Sequence, residues 1–284
     1  MMWIEGGTFV MGSDRHYPEE SPARHVIVEG FHIDASPVTN REFAVFVEQT
    51  GYVSTAQQTP DPQAYPGVDP ALLVPGSLEF CPPPGRSRLG WQQLWKYAKG
   101  VDWRTPPNRL RSSDIAPDDH PVVHVSYIDA AAFASWAGKR LPTEAEWEFA
   151  AWGGVSGRDF PWGDELVLDG RHMANTWQGT FPCENSMDDG WLFTSPTRHF
   201  PANGYGLYDM IGNVWEWTSD DWSDRAADKC CGDGPPSAAS LHHKVIKGGS
   251  HLCAPNYCRR YRPPARQPQA MDTSTSHIGF RCVR

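Results

Sequence analysis

The chain has 284 residues, of which 26 are Gly and 26 Pro, well above the ordinary combined share of about 12%, and it carries 13 Trp, 12 Phe and 9 Tyr. That content excludes long unbroken helices on one side and a disordered chain on the other. A formal charge of −9 with no Lys/Arg run longer than Arg259-Arg260, no apolar stretch of membrane length and no leader-like start exclude nucleic-acid and membrane partners and point to a cytoplasmic location.

In chain order, Thr8-Phe9-Val10-Met11 and His25-Val26-Ile27-Val28 read as short strands around a polar turn with Pro18 and Pro22. Thr39 with Glu42 is a capping-box pattern, Phe43, Phe46 and Val47 form a helical stripe and Gly51 ends it, which predicts a helix over about 40–50. From about 52 to 119 the prolines defeat any period. This stretch is expected to be a long surface loop with one short helical piece near Gln92 to Ala98, a lid or binding loop or else a rigid decoration. Ser126 with Asp129, and Thr143 with Glu146 after Pro142, predict two more helices ending near Gly138 and Gly153, the second buried nearly all round because Trp147, Phe149, Ala151 and Trp152 occupy several faces. A strand is expected at Lys244–Lys247 and a last one in which Ile278, Phe280 and Cys282 share a face. No repeat or linker divides the chain, so residues 1–284 are expected to form one domain.

Seven cysteines at irregular spacing in a long chain argue against a disulfide framework. The densest reactive segment runs from Gly248 to Arg262 and holds Cys253 and Cys258, five apart. In a strand or a helix that spacing separates the sulfurs, so only a folded-back loop, which Pro255 favours, brings them together. If they meet, a local disulfide, a zinc site with His251 as third ligand, and a two-thiolate site for soft Cu(I) all remain open. Arg259 and Arg260 would favour the thiolate form. Cys230-Cys231 reads as an incidental surface pair and Cys282 as a core residue. Two further segments, Ala174–Gly179 with Asp188–Trp191 and Tyr208–Glu216, combine carboxylates, amides and turn carbonyls in a pattern open to Ca²⁺ or to simple turn capping.

Taken together these segments resemble the formylglycine-generating enzyme family, also called the sulfatase-modifying factor family. The likeness runs in order through Gly6–Ser13, Pro37–Asn40, Arg140–Glu148, Phe160–Gly163, Asn203–Met210, Gly212–Trp217 and Gly279–Arg281. The cysteine pair, set among Ser250, Tyr257, Arg260, Tyr261 and Arg262, is the part that distinguishes its catalytic members. The resemblance implies an α+β class, a single mixed domain of C-type-lectin-like kind with low regular secondary structure. It implies an oxidase in which Cys253 and Cys258 bind Cu(I), the cysteine of an unfolded sulfatase Cys-x-Pro-x-Arg motif joins them, and O₂ with a thiol reductant yields Cα-formylglycine. Ser250 and Tyr257 would line the oxygen and substrate pocket. It further implies two Ca²⁺ sites, one from Asn175 and Asp189 with the carbonyls of Thr176 and Trp191, the other from Asp209 and Glu216 with the carbonyls of Gly212 and Val214. Ala254, Pro255 and Asn256 within the cysteine loop, and His277 where the substrate groove of many members has Asn, depart from the family pattern and bear on substrate preference. The alternative is a non-catalytic peptide- or ligand-binding paralogue of the same fold, against which the presence of both cysteines argues.

Overall fold

The fold is seen in a computed structural model that describes residues 1–83, 90–105, 116–223 and 243–284. Two antiparallel pairs form at the start: β1 (Met2–Ile4) with β4 (Phe31–Ile33), and β2 (Gly7–Met11) with β3 (Arg24–Val28), where Phe9 lies opposite Val26. Helix α1 (Asn40–Thr50) begins where its capping box dictates. The Glu42 N–H donates to Thr39 Oγ1 at 3.2 Å and the Thr39 N–H donates to Glu42 Oε2 at 2.8 Å, and the helix stops at Gly51 with a left-handed φ of 68°. Helices α2 (Tyr127–Trp136) and α3 (Glu144–Trp152) start on the same device at Ser126 and Thr143. Helix α3 is buried on nearly every face, from Glu144 and Trp147 to Trp152, as its residue distribution predicts.

The long proline-rich segment differs from expectation in one place. The turn at Trp91–Leu94 does not continue as a helical piece to Ala98; instead Trp95–Lys99 is strand β6, antiparallel to β5 (Gly76–Phe80). Cross-strand pairing explains the choice: Phe80 faces Trp95 with ring centroids 5.9 Å apart and Leu78 faces Tyr97, and aromatic pairs stabilise a hairpin more than a short helix gains from them. Nor is the segment merely laid on the surface. Leu78 exchanges main-chain hydrogen bonds with Ser274 and Ser276, and Phe80 and Leu94 are buried with Trp177, Phe181, Leu252 and Ala254.

After the small β7–β8 pair (Val167–Leu168, Arg171–His172) the chain builds a four-stranded sheet in the order β11-β10-β9-β12. Its members are β9 (Trp215–Asp221), β10 (His243–Lys247), β11 (Arg266–Ala270) and β12 (Ile278–Gly279), all antiparallel except β12, which runs parallel to β9. The expected last strand is regular over two residues only, yet Ile278, Phe280 and Cys282 do enter one core. That core holds Trp215 and Trp217 of the sheet, Phe43 and Phe46 of α1, Phe133 of α2, and also Cys253 and Cys258. Buried charges beside it are matched in pairs: Glu216 with Arg281, Glu148 with Lys247, Glu144 with Arg266 and Glu20 with Arg262. Low regular secondary structure in a single mixed α+β unit follows.

Phe43 sits fully buried at the hub of this core, in ring contact with Phe46, Trp103, Phe133 and Phe280. Phe43→Ala is therefore expected to cost about 3–5 kcal/mol, read as a shift in the denaturant midpoint, while Ile27→Ala at a position 74% exposed changes it by less than about 0.5 kcal/mol.

Candidate active site

The segment after β10 turns sharply because its two glycines permit it. Gly249 has a φ of 73°, and a Cβ there would lie 2.8 Å from the Cα of Tyr261, so only glycine lets the outgoing and returning limbs of the cysteine loop pass this closely. The Cys253 N–H donates to the Ser250 carbonyl at 2.9 Å, and the N–H groups of Tyr257 and Cys258 both donate to the Ala254 carbonyl, at 3.1 and 2.9 Å. The loop is folded back, and the two sulfurs lie 3.6 Å apart. That is contact without a bond, since a disulfide needs about 2.05 Å. The disulfide alternative is thus not realised here.

The two thiols are unequal. Cys258 Sγ accepts from the Cys253 S–H, and also from the main-chain N–H and the guanidinium of Arg260, whose Nη1 is 3.8 Å away. These donors hold Cys258 below the usual thiol range against the opposing effect of burial, and the same shared hydrogen bond followed by burial pushes Cys253 well up. The pair is therefore asymmetric, with the environment of Cys258 favouring its thiolate form and that of Cys253 its protonated form. Arg260, rather than Arg259, makes the electrostatic contact. It is fixed from the other end of the chain, where Glu19 Oε1 accepts from its Nε at 2.9 Å and its Nη2 at 2.5 Å and the ring of Tyr17 lies 3.8 Å below its guanidinium carbon. Nothing in the local pattern of residues 17–20 signals this role. Only the contact across some 240 positions does.

Both cysteines open onto a cavity of about 770 Å³. Ser250, Leu252 and Tyr257 from the loop, Trp95 and Leu94 from the proline-rich segment, Phe181, and Gln267 to Ala270 of β11 line it. The proline-rich segment therefore supplies one wall. Ser250 is fully buried, and its Oγ accepts the Leu252 N–H at 3.2 Å. Tyr257 is half exposed and stacks on Phe181 at 4.3 Å. His277 also lines the cavity, with Nδ1 at 2.8 Å from Thr275 Oγ1 and its ring 4.7 Å from that of Trp95. Among the described residues no Asp or Glu side chain lines it.

His251 does not join the sulfurs. Its Nδ1 bonds the Asn213 carbonyl at 2.8 Å, and among the described residues no three His, Cys, Asp or Glu side chains gather as a metal-ligand set, which removes support for zinc. Two soft sulfurs in contact, with a guanidinium at Cys258 Sγ and an open cavity beside them, do fit a soft monovalent ion.

Any hard-cation site among the described residues must therefore supplement its carboxylates with amide and carbonyl oxygens. Asn175, Thr176, Asp189 and Trp191 come together: Asp189 accepts from the N–H of Thr176 at 3.3 Å, of Trp191 at 2.9 Å, and from Gln178 at 2.8 Å. Asn175 Oδ1 is buried with no hydrogen-bond partner, an acceptor of the kind a hard cation satisfies, and burial raises the Asp189 carboxyl. Asp209, Gly212, Val214 and Glu216 also cluster around a turn with left-handed Asp209, Gly212 and Asn213, but Glu216 already accepts from Arg281 twice and from Trp147. Burial lifts Asp209 to about 6, and its Oδ2 accepts the Arg198 main-chain N–H at 2.8 Å. The first group fits a cation better than the second.

Cys282 is buried in the core and Cys81 and Cys183 are half-buried, while Cys230 and Cys231 lie outside the described residues.

The whole chain, residues 1–284, matches the family model described as "Sulfatase-modifying factor enzyme 1-like domain". It is 53% identical to the formylglycine-generating enzyme of Mycobacterium tuberculosis over 99% of this chain and 96% of that protein. It is 36% identical to the inactive C-alpha-formylglycine-generating enzyme 2 of Bos taurus, over 100% of this chain and 87% of the relative. Among solved structures, PvdO from Pseudomonas aeruginosa shares the fold with a TM-score of 0.67 at 26% identity, covering 99% of this chain and 92% of that one.

Burial pushes the His251 imidazole from its ordinary 6.5 down to about 4, and His277 is likewise held well below. Because the unfolded chain takes up these protons first, their contribution to stability is complete above pH 6.5 and is lost as pH falls toward 4. Denaturant midpoints measured across that interval are expected to fall, and to fall less steeply in His251→Gln.

Proposed function

Because the chain belongs to the sulfatase-modifying factor family, we propose that it converts the cysteine of a Cys-x-Pro-x-Arg motif in an unfolded sulfatase to Cα-formylglycine, with Cys253 and Cys258 holding Cu(I). The observation that carries the reading is the pair of sulfurs at 3.6 Å, unbonded, buried and facing a cavity of substrate size. A bound Cu(I) supplies a soft centre for a substrate thiolate and for O₂ chemistry.

The balance of the reaction fixes what else is required. Removing two hydrogens from the substrate CH₂–SH gives a thioaldehyde, and water then replaces sulfur to leave an aldehyde and hydrogen sulfide. Reducing O₂ to two waters takes four electrons; the substrate supplies two, and two equivalents of a thiol reductant supply the others as they become a disulfide.

The chain's own residues set the conditions. The Arg260 contact favours the thiolate form of Cys258, the form in which a thiol ligates a metal. Ser250 fixes the turn that presents Cys253 and lines the same cavity, and the Tyr257–Phe181 stack forms an apolar wall at its mouth. Trp95, Leu94 and Leu252 give the cavity an apolar lining beside the sulfurs, and β11 offers an extended edge with the Gln267 and Gln269 side chains beside it. A Ca²⁺ ion at Asn175, Thr176, Asp189 and Trp191 would brace the turn before Trp177, whose N–H donates to the Cys253 carbonyl at 3.0 Å. The non-catalytic alternative has no use for two sulfurs held unbonded in contact.

Cu(I)-loaded protein incubated with a Cys-x-Pro-x-Arg peptide, O₂ and a thiol is expected to give the aldehyde by mass spectrometry, and Cys253→Ser or Cys258→Ser to give no more than a control without protein. An unchanged peptide from the wild-type chain would contradict the reading. Addition of Ca²⁺ after chelator treatment should raise the thermal midpoint of the wild type and leave that of Asp189→Ala unchanged.

A further inference from the structure

The short turn at Pro18–Glu20 lies far from the cysteines in sequence, yet with Tyr17 before it the segment grips three residues of the limb that leaves Cys258. The Tyr17 hydroxyl accepts the Arg259 main-chain N–H at 3.0 Å. Its ring lies under the Arg260 guanidinium at 3.8 Å, a cation–π contact. Glu19 takes two hydrogen bonds from Arg260, and Glu20 pairs with Arg262 at 2.9 and 2.5 Å. These contacts differ in character. The Glu20–Arg262 pair is fully buried and touches no sulfur, whereas the Glu19–Arg260 pair is about one-fifth exposed and the guanidinium reaches Cys258 Sγ through Nη1.

An arginine side chain has several rotatable bonds and would otherwise sample solvent. Here its face, its Nε and its Nη2 are all occupied by residues 17 and 19, which leaves Nη1 directed at the sulfur. We propose that Tyr17 and Glu19 are positioning residues for Cys258, acting through Arg260, and that the N-terminal turn sets how firmly the cysteine pair holds its metal. The inference rests on the copper reading above. Groups one step removed from a metal ligand commonly change metal affinity by roughly 10–100-fold when lost.

The test compares Cu(I) affinity, by competition with a chromophoric chelator, and the thermal midpoint in the full chain. Glu19→Gln and Tyr17→Ala are expected to weaken Cu(I) binding by about tenfold or more with midpoints close to wild type, and Tyr17→Phe, which keeps the ring, to retain most of the affinity. Glu20→Gln serves as the structural control and is expected to lower the midpoint while its folded protein binds Cu(I) normally. Wild-type uptake with undiminished affinity in Glu19→Gln and Tyr17→Ala overturns this inference alone, as does a loss of affinity that merely follows a fall in midpoint. A wild-type chain that takes up no Cu(I) overturns the copper reading and this inference with it.

Discussion

A sulfur anion inside a protein is tolerable only beside positive charge that cannot drift away, and the contact of Arg260 with Cys258 Sγ meets that constraint. Much of the site follows from it. The cysteine loop must fold back so that Cys253 can donate its proton to the same sulfur, Gly249 must allow the limbs to pass at van der Waals contact, and the guanidinium must be anchored by an element outside the loop. The result is an asymmetric pair rather than two equivalent thiols. Separation of the sulfurs by 3.6 Å without a bond preserves both as ligands.

The fold contributes in two ways. Cys253 and Cys258 are part of the main aromatic core, so the sulfurs are positioned by the packing that holds Trp215, Trp217 and Phe280 in place. Rigidity of the site is thereby linked to the stability of the whole domain. The proline-rich segment adds the opposite wall through Leu94 and Trp95, and its hydrogen bonds to Ser274 and Ser276 fasten that wall to the connection between β11 and β12 that carries His277. An element that reads as a surface loop is thus a structural part of the cavity.

Local patterns disclosed what local energetics decide. The capping boxes at Thr39, Ser126 and Thr143 set helix starts that the structure reproduces, and the surrounding apolar spacing identifies the buried faces. Strand β6 was not legible because its stability comes from Phe80 across the hairpin rather than from Trp95–Lys99 itself. The cysteine spacing alone left a disulfide, zinc and copper open. Only the position of Ser250, Tyr257 and the arginines within a family motif separated them in the sequence, and only the loop geometry separates them physically. Tyr17 and Glu19 were beyond reach of any pattern, since their partner is about 240 positions away. The cation sites fall between: Asn175 and Asp189 converge with an orphaned oxygen, but the engagement of Glu216 by Arg281 depends on strand register that no local motif encodes.

The proposed role of Cys253 and Cys258 requires that together they form a soft-metal site open to a substrate sulfur. X-ray absorption at the copper edge of Cu(I)-loaded protein addresses it most directly. The account predicts two sulfur scatterers in the loaded chain, a third on addition of a Cys-x-Pro-x-Arg peptide, and loss of the sulfur signal in the double Cys253→Ala, Cys258→Ala variant. A first shell of nitrogen or oxygen alone, or a spectrum unchanged by the double substitution, would contradict it.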